Sequence, residues 1–411
     1  MRILMIIPEL TIGGAQRSFV QLSHDLAEHH EIHVVVFNKS HSIGYEVPGE
    51  LHSLEVNSGK NNVDKILKFI ARIRSLKALK RTLQADVSIS FLEGADYVNV
   101  LSALNDRVII SIRGGKNNDP KIHGLVGWLR KRILMPLIYS RASHVVAVSE
   151  YLKEEMIHSY GVPESKLSTI YNYYDFQSLE DKGNERLPQA FDKWISGRVL
   201  IHVGRLHVIK NHQLLLQCFP SILSTHSDTK LVFIGDGPSR QDLIALARDT
   251  GLKTYTVWDD VFSDDYSIYF LGEHKNPFPF LKKSFVFLFP SICEGFPNAL
   301  VEAMASGLPV LSSDCTYGPK EILDPGTDQH ATPESAVYGE FGILLPIEGN
   351  PDIVRSTWIT TLRKYLDSDE LQYKYREHCI KGVKPFSREA ILMNWFNIVE
   401  GKNNHGAEKT C

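Results

Sequence analysis

The sequence predicts two doubly wound α/β domains, each built on a parallel sheet. Short apolar runs alternate with helical patterns along the whole chain, and this alternation is typical of parallel α/β architecture. The runs form two groups of five, separated by the polar segment 180–197, which contains Gly and Pro and lacks a strand pattern. We therefore expect a first domain over 1–180, a second over 197–384, and an amphipathic helix within 385–405.

The strand candidates are the apolar runs themselves, taken in chain order. In the first domain they are 2–7, 32–37, 86–91, 107–112 and 144–149, and in the second 198–204, 230–235, 267–272, 284–289 and 308–313. Ligands of such sheets bind beyond the carboxyl ends of the strands. We therefore expect the active site in the cleft between the two domains, built from the motifs that follow each strand.

Composition excludes several classes of protein. The 411 residues carry a formal net charge of −3, which argues against a general nucleic-acid binder. No stretch approaches the roughly 18 apolar residues that span a membrane. The five cysteines are odd in number and have no CxxC spacing, so we expect reduced thiols, no zinc site and no disulfide framework. These features predict a soluble, cytoplasmic protein.

The first strand is followed by a glycine turn, "PELTIGGAQRS" (8–18), with Gly13 and Gly14 before a predicted helix. Glycines there let the backbone approach a ligand, and the amides of a helix start can hold an anion. The dinucleotide fingerprint GxGxxG is absent, which disfavours nicotinamide binding. A simple tight turn between strand and helix is the alternative.

The first strand of the second domain runs into "HVGRLHVIKNHQLLL" (202–216), which places two cations at the mouth of the sheet. Arg205 follows the strand and Lys210 comes five residues later. An arginine fork and a lysine point charge suit a diphosphate, although a pair of solvated surface charges is the alternative. The next strand ends in the glycines of "IGDGPSR" (234–240), which tolerate a phosphate or simply make a tight turn.

Two lone carboxylates stand in the segment "SICEGFPNALVEAMASGLPVL" (291–311). Glu294 lies in the loop after a strand, and Glu302 lies in a predicted helix that begins at Pro297 and is apolar nearly all round. A buried carboxylate needs a partner, and hydroxyls of a sugar and a ribose would satisfy both groups without a cation. The amides near the helix start could meet phosphate oxygens. Helix capping by Glu294 and a solvated face for Glu302 are the alternatives.

With these residues in place, the chain resembles the retaining GT-B glycosyltransferases of family 4. "EGFPNALVE" matches their EX7E motif, and the GGA loop, the "GR…K" pair and "GDGP" follow in the family's order. The resemblance implies a GT-B fold whose last helix crosses back to the first domain. No DxD-type loop stands beside the phosphate motifs, so we expect no metal or other cofactor. The resemblance implies catalytic roles for Glu294, Arg205 and Lys210. Many members have a His where this chain has Arg113, and we expect Arg113 to join the catalytic set there as a contact to the sugar or diphosphate. The resemblance assigns donor binding to Gly13, Gly14, Arg205, Lys210, Gly235, Gly272, Asn276, Glu294, Phe296, Asn298, Ala299 and Glu302.

"SIRGG" (111–115), "TIYNYYD" (169–175) and "CTYGPKEIL" (315–323) are similar to bacterial members that build O-antigen or capsule. The resemblance therefore implies a hexosyltransferase that moves GalNAc, Gal or GlcNAc with retention from a UDP-sugar to a polyprenyl-diphosphate-linked or other glycolipid acceptor. Two other classes stay open. One is a nucleotide-sugar epimerase of the same architecture, and the other is a non-catalytic subunit that binds sugar nucleotides.

Two basic, apolar segments of the first domain suggest contact with a membrane. Segment 60–82 carries eight basic residues against one acidic, with apolar residues at helical spacing, and 127–139 adds Trp128 among further basic residues. Basic amphipathic helices can lie on anionic membranes, although an ordinary solvated face is the alternative. With a lipid-linked acceptor implied, we expect peripheral association with the cytoplasmic face of the inner membrane.

Overall fold

The computed structural model describes residues 1–11, 13–38, 44–57, 59–115, 124–191, 197–328 and 331–402. The chain divides into two compact units, of which unit 1 contains Met1–Tyr173 and Arg388–Cys411 and unit 2 contains Tyr174–Ser387. Each unit is a mostly parallel sheet with packed helices, which confirms the predicted fold class. Among the described residues, none of the helices combines the length and apolar character needed to cross a membrane.

The sheet of unit 1 has the strand order β3-β2-β1-β4-β5-β6-β7, with every pairing parallel. Its strands are β1 (Arg2–Ile6), β2 (Glu31–Val36), β3 (Glu50–Ser53), β4 (Val87–Phe91), β5 (Arg107–Ile112), β6 (His144–Ala147) and β7 (Leu167–Thr169). Its helices are α1 (Gly14–Ala27), α2 (Asn62–Leu83), α3 (Glu93–Leu101), α4 (Gly124–Leu129), α5 (Met135–Arg141), α6 (Glu150–Tyr160) and α15 (Arg388–Glu400), with a π-helical turn (Arg130–Leu134) between α4 and α5.

Two apolar layers cover the sheet of unit 1. Helices α1 and α15 pack with one face of β1, β2 and β4, whereas α2 and α3 pack with the other face of β1 and β2. The final helix is tied to α1 through Arg388, whose guanidinium donates to Asp25 at 2.9 Å. Because the central strands are buried on both faces, they are mostly apolar, and that pattern made them recognisable in the sequence, although β4 carries the buried Ser88 and Ser90.

The sheet of unit 2 has the strand order β10-β11-β9-β8-β12-β13-β15-β14, and only the β14–β15 pairing is antiparallel. Its strands are β8 (Arg198–Val203), β9 (Thr229–Ile234), β10 (Thr254–Thr256), β11 (Ile268–Phe270), β12 (Val286–Phe289), β13 (Val310–Ser313), β14 (Val337–Tyr338) and β15 (Ile343–Leu345). Its helices are α7 (Phe176–Gly183), α8 (His212–Leu223), α9 (Arg240–Asp249), α10 (Phe278–Lys282), α11 (Asn298–Ala305), α12 (Pro319–Leu323), α13 (Pro351–Asp367) and α14 (Asp369–Val383).

The division between the units falls at Tyr173–Tyr174 and not within 180–197, where the sequence suggested a linker. The segment after Tyr174 packs with unit 2 for local reasons. The amide of Tyr174 donates to the carbonyl of Phe386 at 2.9 Å, and α7 packs on α10. Polar composition therefore indicated a connecting segment, whereas hydrogen bonds and helix packing assign that segment to unit 2.

Candidate functional site

Three loops of unit 2 meet at the carboxyl ends of neighbouring strands, and glycines allow them to touch. Gly235, after β9, has φ of +143°, and a Cβ there would lie 2.0 Å from the carbonyl oxygen of Gly204. The amide of Gly235 also donates to the carbonyl of Gly272 at 2.8 Å. A larger residue at position 235 would collide with backbone, so this glycine is required for the loops to approach each other.

Arg205 and Lys210 lie on the loop that follows β8. The amide of Leu206 donates to the carbonyl of Asp236 at 3.0 Å, which fixes this loop against the next one. Arg205 is exposed, and within the described ranges its side chain makes no hydrogen bond or ion pair. Lys210 ends a 3₁₀ turn, and Asn211 then adopts φ of +50° before α8 begins.

Lys210 and Glu294 form a close ion pair at this edge of the sheet. The Lys210 Nζ lies 2.5 Å from the Glu294 Oε1, and their side chains are 22% and 11% exposed. The ammonium also lies 5.3 Å from the ring centroid of Phe289, at the end of β12. The sequence analysis treated Glu294 as satisfied without a cation, whereas the structure gives it Lys210 as a partner.

Helix α11 begins one residue later than expected, with Pro297 in the cap position and Asn298 as its first residue. The amide of Asn298 donates to the carbonyl of Phe296 at 3.0 Å, and the amide of Leu300 donates to the carbonyl of Pro297 at 3.0 Å. Of these first three amides, only that of Ala299 makes no backbone hydrogen bond within the part of the chain described. One amide, and not three, is therefore available to a phosphate oxygen.

Glu302 lies in the second turn of α11, and its side chain is buried. The residue is 5% exposed, and the neighbouring Val301 and Ala303 are fully buried. The alternative in which Glu302 lies on a solvated face is therefore wrong. A carboxylate buried to this extent needs a hydrogen-bonding or ionic partner, and the role of Glu302 as a ribose ligand stays a prediction.

Two buried histidines lie beneath the β8 loop, and the sequence analysis did not single them out. The His202 Nδ1–H donates to the carbonyl of Leu288 at 2.8 Å, so its other nitrogen is unprotonated in the neutral ring. Burial, together with the charge of Lys210, lowers the pKa of His202 to about 3. Burial also lowers the pKa of His212, whose ring packs edge-on against His202. Both rings are neutral at pH 7.

The remaining predicted catalytic residue, Arg113, belongs to unit 1. It follows β5, donates to the Oδ1 of Asn172, and places its guanidinium carbon 4.9 Å from the ring centroid of Phe91. These residues line a small concavity together with Ser18, Gln21, Leu22, Tyr171, Tyr173 and Trp395. Arg113 is thus held in a polar and aromatic recess of unit 1.

Gly13 and Gly14 stand at the start of α1. Gly13 caps the helix with extended backbone, and its carbonyl accepts from the Tyr45 hydroxyl at 3.3 Å. A Cβ at Gly13 would lie 2.5 Å from the Gln16 Oε1, the end of a flexible side chain. The predicted turn at the carboxyl end of β1 is therefore present, with an amino-terminal helix end beside it.

Two of the predicted donor-binding residues contact other parts of unit 2. The Asn276 amide donates to the carbonyl of Lys182 and to the Glu185 carboxylate at 2.9 and 2.8 Å, so its side chain anchors the segment after α7. The rings of Phe296 and Phe386 pack edge-on. These contacts give Asn276 and Phe296 structural roles within unit 2.

Tyr174 is a site residue that sequence reasoning missed. Its hydroxyl donates to the Asn298 Oδ1 at 2.6 Å, beside the start of α11. The signal was the motif "TIYNYYD", whose residues Asn172 and Tyr174 both hold predicted site residues. The motif was used for its similarity to a family, and its hydrogen bonds could not be inferred from spacing alone.

The chain is similar to known proteins over most of its length. The family model for glycosyltransferase family 4 matches residues 12–178, and that for group 1 glycosyl transferases matches residues 197–337. The chain is 26% identical, over 97% of its length and 99% of the relative's, to a Campylobacter jejuni N-acetylgalactosamine-N,N'-diacetylbacillosaminyl-diphospho-undecaprenol 4-alpha-N-acetylgalactosaminyltransferase. It is 28% identical to the Salmonella typhimurium lipopolysaccharide 1,6-galactosyltransferase, over 45% of this chain and 46% of that protein.

Solved structures share the fold over nearly the whole chain. A glycosyltransferase from Rickettsia africae superimposes with a TM-score of 0.72 at 16% identity, covering 98% of this chain and 99% of that one. Anabaena HepE, solved with UDP and glucose, superimposes with a TM-score of 0.71 at 15% identity, covering 98% and 100%. The chain therefore has the GT-B fold of these structures, and the two family models, which between them match most of its length, identify it as a glycosyltransferase of the group 1, family 4-like class.

Proposed function

We propose that this chain transfers a hexose or N-acetylhexosamine, with retention of anomeric configuration, from a UDP-sugar to a lipid-linked saccharide in surface-polysaccharide synthesis. The observation that carries the proposal is the Lys210–Glu294 pair, which lies beside the glycine loops of β8 and β9. Named relatives that transfer N-acetylgalactosamine to undecaprenol-linked acceptors, and others that transfer galactose to lipopolysaccharide, support the choice of substrates.

In the proposed complex the donor diphosphate takes its cations from the loop after β8. Arg205 is exposed and can close on the diphosphate as a fork of donors, while Lys210 shares its charge between Glu294 and the phosphates. The Ala299 amide at the start of α11 adds a further donor. Glu302 accepts hydrogen bonds from the ribose, and Glu294 accepts them from the donor sugar.

The leaving UDP is stabilised by protein cations, so the reaction needs no metal. Arg205 and Lys210 oppose the charge that develops on the β-phosphate. In the proposed complex Glu294 accepts hydrogen bonds from the donor sugar, which makes it a poor covalent nucleophile, so the acceptor hydroxyl attacks on the face that the phosphate leaves. The departing phosphate takes the proton of that hydroxyl. The product linkage is analysed by NMR, and an inverted anomeric centre would overturn this mechanism.

The donor assignment is tested by ligand-induced thermal stabilisation with UDP, GDP, ADP and a panel of UDP-sugars, with and without EDTA. A ligand at a hundredfold excess over Kd stabilises the folded state by about 2.7 kcal/mol. We expect UDP and one UDP-sugar to raise the midpoint equally with and without EDTA. Lys210→Met abolishes both shifts, whereas Glu294→Gln weakens the UDP-sugar shift and preserves that of UDP. No shift with any nucleotide would overturn the proposal.

The acceptor side of the proposal rests on an exposed surface of unit 1. In α2, Val63, Ile66 and Leu67 are 60–69% exposed, and Trp128 of α4 is 55% exposed. Helix α3 packs against both α2 and α5, so the two amphipathic segments lie on the same side of the sheet. Apolar residues bordered by Lys and Arg can enter the headgroup region of an anionic bilayer, where a polyprenyl-linked acceptor resides.

Two of the basic residues counted in the sequence do not belong to this surface. Lys80 is buried with its Nζ 2.7 Å from the Asp106 carboxylate, and the Arg72 guanidinium lies over the Phe37 ring. The exposed cations that remain on α2 include Lys65 and others further along the helix. The proposed membrane surface is therefore less basic than the sequence suggested, and its apolar residues carry more of the binding.

Flotation with vesicles tests the surface directly. We expect the protein to float with anionic vesicles, and Ile66→Ser with Trp128→Ser to reduce the floated fraction severalfold. Lys65→Glu reduces it at low salt, since the attraction is screened. Lys381→Glu, an exposed position in unit 2, is the control and has no effect. Equal flotation of all four proteins would place membrane contact elsewhere.

A further inference from the structure

The edge of the unit 1 sheet carries a group of side chains suited to a metal ion. Among the described residues, the only group of three or more His, Cys, Asp or Glu with all ligand atoms within 4.8 Å is His33, Glu50 and His52. His33 lies on β2, and the other two lie on β3, the edge strand. None of these residues takes part in the proposed transfer reaction.

Strand register explains why the three side chains converge. His33 and Glu50 are direct partners in the parallel pairing of β2 with β3. Residues two apart on a strand point to the same face, so His52 projects on the same side as Glu50. The site is therefore built by the backbone of two paired strands, which hold the ligands more firmly than a loop would.

The distances match those of a shared tetrahedral ion. The His33 Nδ1 lies 3.1 Å from the His52 Nε2, and the His52 Nε2 lies 3.7 Å from the Glu50 Oε2. Two ligands of tetrahedral zinc, each about 2.0–2.1 Å from the ion, are about 3.4 Å apart. An ion can therefore bind with small side-chain movements, and water completes its coordination.

A second carboxylate fixes the tautomer that a metal requires. The His33 Nε2 lies 3.1 Å from the Glu31 Oε1, and because a carboxylate only accepts, this nitrogen carries the proton. The Nδ1 that faces His52 is then free of a proton in the neutral ring and accepts from the His52 Nε2–H, which gives up that proton when the ion binds. A carboxylate behind a ligating histidine is the usual outer partner of a zinc site.

We propose that His33, His52 and Glu50 bind a divalent transition-metal ion, with zinc as the best match for two imidazoles and one carboxylate. The His33 and His52 side chains are 9% and 15% exposed, whereas that of Glu50 is 69% exposed, which leaves an entry path from solvent. The ion links the four-residue edge strand β3 to β2. Its role is structural, because His33 and Glu50 lie in the amino-terminal halves of β2 and β3. Gly13 and Arg113, in contrast, follow the carboxyl ends of β1 and β5.

Zinc binding to the tag-free, full-length chain tests the proposal, by calorimetry and by the thermal midpoint after chelator treatment. We expect one equivalent to bind and to raise the midpoint, while Mg²⁺ does neither. Glu50→Gln weakens zinc binding at least tenfold. Glu31→Gln weakens it roughly 10–100-fold, the usual effect of losing an outer partner.

The matched control is Asp367→Asn, which changes an exposed carboxylate 3.0 Å from a single histidine, His226. We expect this variant to bind zinc as the wild type does. Glu31 and Glu50 are exposed, so their amide variants fold, and His52→Ala supplies a third test. Zinc binding of equal affinity in Glu50→Gln and His52→Ala would place the ion elsewhere, and absence of binding to the wild type would equally overturn the proposal.

Discussion

The Lys210–Glu294 pair allows the electrostatics of the candidate site to be measured without a substrate. The perturbation is a pair of nearly isosteric changes, Lys210→Met and Glu294→Gln, made separately and together. Each single change leaves one charged group without its partner 2.5 Å away. The double change removes both charges, so the difference between the double variant and the sum of the singles isolates their interaction.

The expected magnitude follows from exposure. Removing one partner of a fully buried pair costs about 3–5 kcal/mol, whereas an exposed pair contributes about 0–1 kcal/mol. With side chains 22% and 11% exposed, the pair lies between these limits. We expect a coupling energy of about 1–3 kcal/mol. The double variant should therefore lose less stability than the two single variants lose when their losses are added.

The free energy of unfolding is measured with urea. The unfolding transition that moves when UDP is added to the wild type is assigned to unit 2. The matched control is the cycle of Arg355→Met and Asp352→Asn, an ion pair of the same unit that is joined by one contact and whose side chains are 42% and 80% exposed. Its coupling energy is expected at about 0–1 kcal/mol. If the Lys210–Glu294 coupling falls below about 0.5 kcal/mol, or does not exceed that of the control, the assignment of this pair as a desolvated contact is refuted.

Three further predictions concern buried polar groups. Lys80→Met leaves the fully buried Asp106 carboxylate without its cation, and urea unfolding should show a loss of about 3–5 kcal/mol; a loss under 1 kcal/mol would contradict the buried pair. Tyr174→Phe removes the hydrogen bond to Asn298 and should cost about 1 kcal/mol in the same assay, with no loss expected if the hydroxyl is solvated. Because the folded pKa of His202 is about 3, below its unfolded value, its contribution is complete above about pH 6.5 and declines as the pH falls. By pH 5 the loss is about 2 kcal/mol, and an unchanged pH slope in His202→Leu would refute this.

The central strands could be predicted from sequence because they are mostly apolar on both faces. The strands that were missed, β3, β7, β10, β14 and β15, have two to four residues each. Segments this short contain too few residues to display a pattern, and β3, with one exposed and three half-buried residues, has no continuous apolar run. Their position is set by pairing with a neighbouring strand, which is a long-range property.

The candidate site was predicted as a set of positions at strand ends, and the structure adds which side chains meet. Glycine turns and the helix after Glu294 have local signals, so their place at the mouth of the sheet follows from chain order. The pairing of Lys210 with Glu294 joins residues 84 apart in the sequence. Neither spacing nor composition specifies such a contact, which depends on the parallel pairing of β8 with β12.

Counting charges in α2 was misleading for a related reason. Helical spacing predicted one apolar face and one basic face, yet Lys80 enters the core because its ammonium has partners there. Ser88 Oγ and Asn99 Oδ1 accept from it at 3.1 and 2.7 Å, beside the Asp106 carboxylate. These acceptors lie on other elements, so the sequence of α2 alone could not distinguish a solvated lysine from a buried one.

Before the donor binds, Glu294 has Lys210 as its counter-ion and Arg205 is exposed to solvent, so neither charge is left uncompensated. Solvent exposure of Arg205 costs little free energy. Lys210 neutralises Glu294 where both side chains are mostly buried. In the proposed complex the diphosphate draws on the same ammonium, so Glu294 must find other donors. Sugar hydroxyls supply them, and UDP alone does not. Donor discrimination in this proposal therefore arises at Glu294, because only a nucleotide that carries a sugar restores the hydrogen bonds that its diphosphate displaces.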